Sequence, residues 1–336
     1  MSNKAAVLNE KGARLVIEDR PIYKPEADQI VVKVHALSTA PADWKMQDYG
    51  VFIENYPTIL GSDIAGTVED VGSSVTLFKK GDRVTGFAGV LHSKDSRHGA
   101  FQQYTVLETS AAAKIPDFMS FDEAAILPMA VATAAVGIFL TLDIPRPPAK
   151  QQGIFLVWGA SSSVGTATVQ IAKSLGYTVF GVNSPKHNDY VKKLGATECF
   201  DYNDAEVVKK VSQALKVSGQ AVTAYDVISE HGSAPKAAEI LEAVGGGKLC
   251  LTLGYPDDAR KPGNVQLVNT YAAHIVGDRK DFGHWLFNEW LEKALADKTF
   301  VPSPAVQKVE GGIEAVQKAL DMHKAGLSSV KLVLNL

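Results

Sequence analysis

Gly159, Ser161, Ser162, Ser163 and Gly165 have the types and spacing to cradle a phosphate. They fill a tight turn between an apolar run at 154–158 and a helical pattern at 166–175. Small side chains let a backbone approach a pyrophosphate. A helix start adds unpaired N–H groups and the positive end of a dipole. Strand, turn and helix start in this order make a dinucleotide-binding unit. The next strand-like run, 178–182, is followed by Asn183, Ser184, Pro185, Lys186 and His187. A site for NAD usually places Asp or Glu there to hold the ribose 2′-hydroxyl, and this chain has neither. A hydroxyl, an ammonium and an imidazole suit a 2′-phosphate instead, so the expected cofactor is NADP(H). An ordinary strand-to-helix turn with Ser184 as N-cap explains the same residues, and such a turn is itself an anion site.

These residues need a scaffold. Strand-like segments follow the turn at 178–182, 198–202, 222–228, 248–253 and 274–277, most of them separated by helical patterns. Such alternation predicts a parallel sheet covered on both faces. The first 120 residues read as a separate β-rich domain, with strands at 31–34, 66–71, 83–86 and 103–106 punctuated by Gly and Asp turns. Beyond residue 280 come helices at 285–296 and 312–323 and a last strand at 331–335, expected to return to the first domain. Residues 124–142 carry no charge and are long enough to cross a bilayer. Pro128, Gly137, many alanines and the α/β unit directly after them point instead to a buried helix.

The chain has 336 residues, which suggests about two domains, and its 46% hydrophobic content suffices for a buried core. A net charge of −3 without long runs of one sign argues against a nucleic-acid or membrane-surface role. Cys199 and Cys250 sit in strand patterns and read as small core residues of a reducing compartment. No signal-peptide pattern opens the chain, so a cytoplasmic location is expected. His92 and His98, six apart in a polar loop, read as surface histidines and not as metal ligands.

Gly61, Ser62 and Asp63, then Gly66, Gly72, Val75, Phe78 and the stretch Gly81, Asp82, Arg83, Val84 resemble the signature of the medium-chain dehydrogenase/reductase superfamily. Residues 191–196 and 326–333 resemble further parts of it, so the likeness covers nearly the whole chain. It implies an α/β fold, a β-rich GroES-like catalytic domain (1–122 and 281–336) plus a Rossmann doubly wound parallel-sheet domain (123–280). Zinc-dependent members carry Cys near the position of Ala40 to Asp43, and Gly-His-Glu where this chain has Gly61, Ser62 and Asp63. The group of four close cysteines that binds structural zinc has no counterpart here. With two Cys in all, neither usual zinc site can be assembled, and no metal is expected.

The zinc-free branch contains quinone, alkenal and enoyl reductases, which move a hydride from NADPH to an electron-poor acceptor. The stretch Pro41, Ala42, Asp43, Trp44, Lys45 is similar to one in fungal trans-acting enoyl reductases that serve polyketide synthases, with Ala40 replacing an Asn. By that resemblance Ala42, Asp43, Trp44, Lys45, Ser161, Ser162, Ser163, Val164, Ser184, Lys186, His187 and Tyr202 line the NADP(H) site, completed by Leu253, Gly254, Val330 and Lys331. Relatives have glycines where Ser162 and Ser163 stand.

Lys45 is the first candidate for a catalytic role, donating to a carbonyl oxygen or the nicotinamide ribose; the alternative is a lysine snorkelling over Trp44. Thr133 is the second, against a buried Thr bonded one turn back. Tyr49, Phe52 and Tyr271 are candidate substrate-pocket walls, though aromatics also serve as plain core. The leading reading is reduction of an activated carbon–carbon double bond in a small-molecule or carrier-bound acyl substrate, with a polyketide synthase as partner. The second is a quinone reductase, and the third a non-catalytic NADPH-binding structural or nucleic-acid-binding module. Monomer and homodimer both remain open, with 274–277 as a candidate edge strand.

Overall fold

From Asn3 to Lys114 short runs of β-branched and aromatic residues form strands between turns. They are β1 (Asn3–Leu8), β2 (Val16–Arg20), β3 (Gln29–Ser38), β4 (Thr58–Ile59), β5 (Asp63–Val71), β6 (Arg83–Phe87), β7 (Tyr104–Glu108) and β8 (Ala112–Lys114). Helix α1 (Pro41–Tyr49) follows β3. The computed structural model describes residues 2–336 and divides into two units, one made of the chain up to Ala132 together with Ala273–Leu336, the other of Thr133–Ala272.

Helix α2 (Pro128–Ala135) lies in an apolar run, Phe121–Thr141, that widens into a π-helix at Val136–Thr141. That run is long and apolar enough to cross a membrane, but 89% of its 18-residue apolar stretch is buried inside the protein, which accounts for its composition without a bilayer.

The second unit carries a six-stranded parallel sheet of β9 (Ile154–Trp158), β10 (Thr178–Val182), β11 (Ala196–Phe200), β12 (Val222–Asp226), β13 (Gly247–Leu251) and β14 (Val265–Asn269). Its order is β11-β10-β9-β12-β13-β14. The order reverses between β9 and β12, and in open α/β sheets ligands bind at such a switch point, outside the carboxyl ends of the strands. Helices α3 (Ser163–Leu175), α4 (Asn188–Leu194), α5 (Val207–Ser218) and α6 (Ser233–Ala243) connect the strands. Ile154, Leu156, Trp158, Leu249 and Leu251 pack with Val211, Leu215, Ile240 and Leu241 in one buried cluster.

Helix α7 (Val316–Ala325) and strands β15 (Ala305–Lys308) and β16 (Val330–Asn335) belong to the first unit. There β16 pairs antiparallel with β3, in a sheet of order β15-β16-β3-β5-β6-β8 with β7 also on β3. The expected return of the last strand to the first domain is therefore observed. A smaller sheet, β2-β1-β4, completes the unit.

Two expectations need correction. Residues 274–277 are not a strand. Ala272–Val276 is a 3₁₀ turn, closed by the Gly277 N–H on the His274 carbonyl, with the His274 ring bonded to Asp278. The sixth strand is β14, so an edge strand at 274–277 has no basis. His98 is buried, not on the surface, because its loop folds inward: Nδ1 donates to the Val106 carbonyl, and Gln102 bonds three carbonyls of the same loop. His92 is exposed as expected. Among the described residues no group of three His, Cys, Asp or Glu is placed to hold a metal.

Candidate functional site

In the parallel-sheet unit the site is set by how closely β9 and α3 approach. Gly159 follows β9 with φ +84°, a backbone conformation that favours glycine. A Cβ on Gly165, in the first turn of α3, would lie 2.1 Å from the Gly159 carbonyl oxygen, so only glycine fits. Ser162 caps α3, its Oγ accepting from the Gly165 N–H at 3.0 Å. Serine in place of glycine thus serves the turn as a cap, and the start of α3 is of the kind that could receive a pyrophosphate.

At the end of β10 the Asn183 side chain turns inward, donating to the Ser184 carbonyl and to Asn188 Oδ1. Ser184, Pro185, Lys186 and His187 form a 3₁₀ turn with Lys186 exposed. Partial burial and the Lys186 ammonium hold the His187 imidazole below its usual value. Tyr202 follows β11, Leu253 and Gly254 follow β13, and Tyr271 follows β14. The carboxyl edge of one sheet therefore collects Ser161, Ser162, Ser163, Val164, Ser184, Lys186, His187, Tyr202, Leu253, Gly254 and Tyr271.

Thr133 stands in α2 and is 8% exposed. Its carbonyl accepts from the hydroxyl of Tyr225, a fully buried residue of β12, at 3.0 Å. The Tyr225 ring fits because residue 137 is glycine: a Cβ there would come within 2.4–2.6 Å of the ring and hydroxyl. Cys250 pairs with Tyr225 across the sheet, and burial pushes its thiol up, so it is an inert core residue. The carboxylate of Asp226 ends β12 and accepts from the N–H groups of Ile228 and Ser229 and from Ser233 Oγ.

In the other unit α1 carries Ala42, Asp43, Trp44, Lys45 and Tyr49. Its N-cap, Ala40, has no side-chain acceptor, but the Ala40 N–H donates to Asp43 Oδ2 at 2.7 Å, and Pro41 takes the first helical position. Asp43 is 1% exposed. Burial drives its carboxyl up to about 7, against the Ala40 hydrogen bond and with help from the Asp63 charge. Asp63 accepts from Ser38 Oγ at 3.1 Å, Lys331 Nζ at 2.5 Å and the Met129 N–H at 2.6 Å. His323 Nε2 lies 3.0 Å from the Thr39 carbonyl and must donate to it. Burial, then the Lys331 ammonium, depress this imidazole to about 4, so it is neutral. The Thr39 N–H donates to the Leu332 carbonyl, joining the start of α1 to β16.

Two family models match the chain: the alcohol dehydrogenase GroES-like domain over residues 26–117 and the zinc-binding dehydrogenase over residues 163–275. A dehydrogenase of Monascus ruber is 36% identical, covering all of both chains. The chain belongs to the medium-chain dehydrogenase/reductase superfamily. A trans-enoyl reductase of Aspergillus flavipes is also 36% identical over 99% of each chain. The quinone oxidoreductase of Coxiella burnetii shares the fold, with a TM-score of 0.74 at 20% identity over the whole of both chains. So does the CurK enoyl reductase, with a TM-score of 0.79 at 20% identity over 99% of each. As a member of this superfamily the protein is an oxidoreductase with a pyridine-nucleotide-binding fold.

Within this medium-chain oxidoreductase the expected residues fall into two groups, one per unit. Lys45 lies with Nζ 5.6 Å from the Trp44 ring centroid, the arrangement expected of a snorkelling lysine, and it is half-buried. Tyr49 and Phe52 are exposed, at 57% and 48%. The side chains of Asp43 and Lys331 are buried in the interior, so any contact of theirs with a cofactor would be through main-chain atoms and not their charges. Sequence reasoning missed Tyr225, His323 and the Asp63–Lys331 pair. Each works through a partner far away in the chain, and only the Asp at the family's Gly-His-Glu position gave a local hint.

Proposed function

We propose that this oxidoreductase takes a hydride from NADPH to the β-carbon of an α,β-unsaturated carbonyl, best an enoyl thioester, without zinc. One observation carries the reading: the position of the zinc ligands in metal-dependent relatives is occupied by chemistry that does not fit a metal. Ala40 and Ser62 are not ligands of the usual kind, and Asp63 is engaged by an ammonium, a hydroxyl and a backbone N–H. Reduction of a plain carbonyl gains from a Lewis acid at the oxygen. Reduction of a conjugated double bond needs only hydrogen-bond donors there and a dry, shaped pocket. The names of relatives such as the Aspergillus flavipes trans-enoyl reductase support this choice.

NADPH is favoured over NADH because β10 ends without a carboxylate, and Ser184, Lys186 and His187 suit a 2′-phosphate. The first turn of α3 and Ser162 would hold the pyrophosphate. When bound, NADPH supplies the hydride and leaves as NADP⁺. The protein then stabilises the charge that develops on the substrate oxygen, a role assigned to the Lys45 ammonium, and a proton reaches the α-carbon. Thr133 would fix the geometry of the reacting groups. The acyl group arrives free or on a carrier protein such as that of a polyketide synthase.

The test is oxidation of NADPH, beside NADH, with a medium-chain enoyl thioester and with a naphthoquinone at matched concentration. Thioester turnover that prefers NADPH, survives a zinc chelator and falls at least tenfold in Lys45→Ala is expected. Quinone turnover alone would replace this reading with a quinone reductase.

A further inference from the structure

Large apolar side chains that stay exposed are mostly scattered along this chain, but four fall within residues 49–56: Tyr49 at 57%, Val51 at 42%, Phe52 at 48% and Tyr56 at 37%. Clustering of this kind marks a binding surface more often than isolated exposure does. The segment is also held under strain. Phe52 has φ +62°, unusual for a bulky residue, and its carbonyl accepts from Lys94 Nζ at 3.0 Å. Lys94 itself has φ +58°, bonds the Leu91 carbonyl, and lies 5.5 Å over the Phe52 ring. Two non-glycine residues in left-handed backbone thus brace each other, and the product of that bracing is an aromatic ring presented to solvent. Strain of this sort persists where a fixed geometry is of use.

We propose that Tyr49, Val51, Phe52 and Tyr56 form a platform for the apolar acyl tail of the substrate, with Lys94 as the positioning residue that holds Phe52. The proposal rests on the enoyl-thioester reading above and adds to it a preference for chain length. Tyr49 lies one helical turn beyond Lys45 on α1, so the two side chains are neighbours on one face. Tyr49 also meets Trp44 edge-on at 5.8 Å. A substrate whose carbonyl engages Lys45 therefore reaches the platform through its own chain. The rim favours a thioester over a protein surface: the Lys45 and Lys324 ammonium groups lie 5.6 and 5.9 Å from the Trp44 ring, and Lys94 over Phe52. Lysine is depleted in protein–protein interfaces, whereas an apolar tail on a phosphate-bearing arm matches apolar faces edged with ammonium groups. The carboxylates nearby are Asp48, which is paired with Lys324, and the exposed Glu54.

The experiment is calorimetric binding of saturated acyl-coenzyme A from butanoyl to decanoyl to the full-length protein with NADP⁺ present. These ligands cannot be reduced, and their oxidation by NADP⁺ is strongly uphill, so binding is read without turnover. Affinity is expected to rise about fourfold per added methylene until the tail spans the platform. Phe52→Ala should flatten that slope, and Lys94→Met, which keeps the stem and loses the clamp, should reduce it while NADP⁺ affinity stays unchanged. Thermal melts of both variants check the fold. A wild-type slope near zero, or a slope that Phe52→Ala leaves intact, overturns the platform. A dimer that dissociates in Phe52→Ala while the slope persists also overturns it, in favour of a self-contact. Length-dependent binding without any thioester turnover would sink the enoyl reading and leave the platform standing.

Discussion

Tyr225 and Gly137 show how a single hydroxyl and a missing methyl group shape the helix that carries Thr133. The ring fills the notch left by Gly137, and the hydroxyl satisfies a carbonyl at the edge of the π-helical stretch, a feature often found at functional sites. Tyr225→Phe keeps the ring but leaves the Thr133 carbonyl without that donor in a dry interior, which should cost about 1–3 kcal/mol, read as a lower urea midpoint. Asp43 makes a different prediction. Burial holds its folded-state carboxyl up at about 7, well above the ordinary carboxylate range, so the native state holds the proton more tightly than the unfolded chain does. The stabilisation from this proton is full below about 4, declines as pH rises and is gone above about 7. Asp43→Asn removes the titration, so the wild-type melting temperature relative to the variant should fall from pH 4.5 to 7 and then level off. A flat difference would refute the assignment. The Gly and Ser turn after β9 was legible in the sequence because its geometry is local. The Tyr225 contact was not, since 92 positions separate it from Thr133.

At the scale of elements, the buried Asp63–Lys331 pair joins β5 to β16, and through Ser38 and the Met129 N–H it also reaches β3 and the start of α2. Its two side chains are 1% and 4% exposed. Removing one partner strands the other charge. Lys331→Met should therefore destabilise by about 3–5 kcal/mol, and Asp63→Asn/Lys331→Met should recover much of the loss, measured by urea unfolding. A double variant no better than the single one would show that the pair contributes its net attraction and not merely mutual compensation. Most strands were legible from apolar runs bounded by turns. The exception is instructive: Ile275 and Val276 have strand-forming side chains, yet the His274–Asp278 contact and the Gly277 turn close them into a 3₁₀ turn. The true sixth strand, β14, is a short alternation after Pro262 and Gly263, easily passed over as loop.

At the scale of the molecule, the unit that bears Lys45 and the proposed acyl platform is built from two separate stretches, up to Ala132 and from Ala273, while the parallel-sheet unit is one continuous stretch between them. The strand that supplies Lys331 is interior to its sheet, between β15 and β3. Chain synthesis is directional, and domains generally fold as units as they emerge. The ribosome thus releases the whole nucleotide-binding unit before it has made β16. Until then β3 has β5 and β7 but its end, Ala36–Ser38, lacks the β16 partner, and Asp63 waits in an unfinished sheet for its countercharge. A nascent chain of this protein can acquire its parallel-sheet fold early, but the unit that carries Lys45 matures only after translation has passed Asn335.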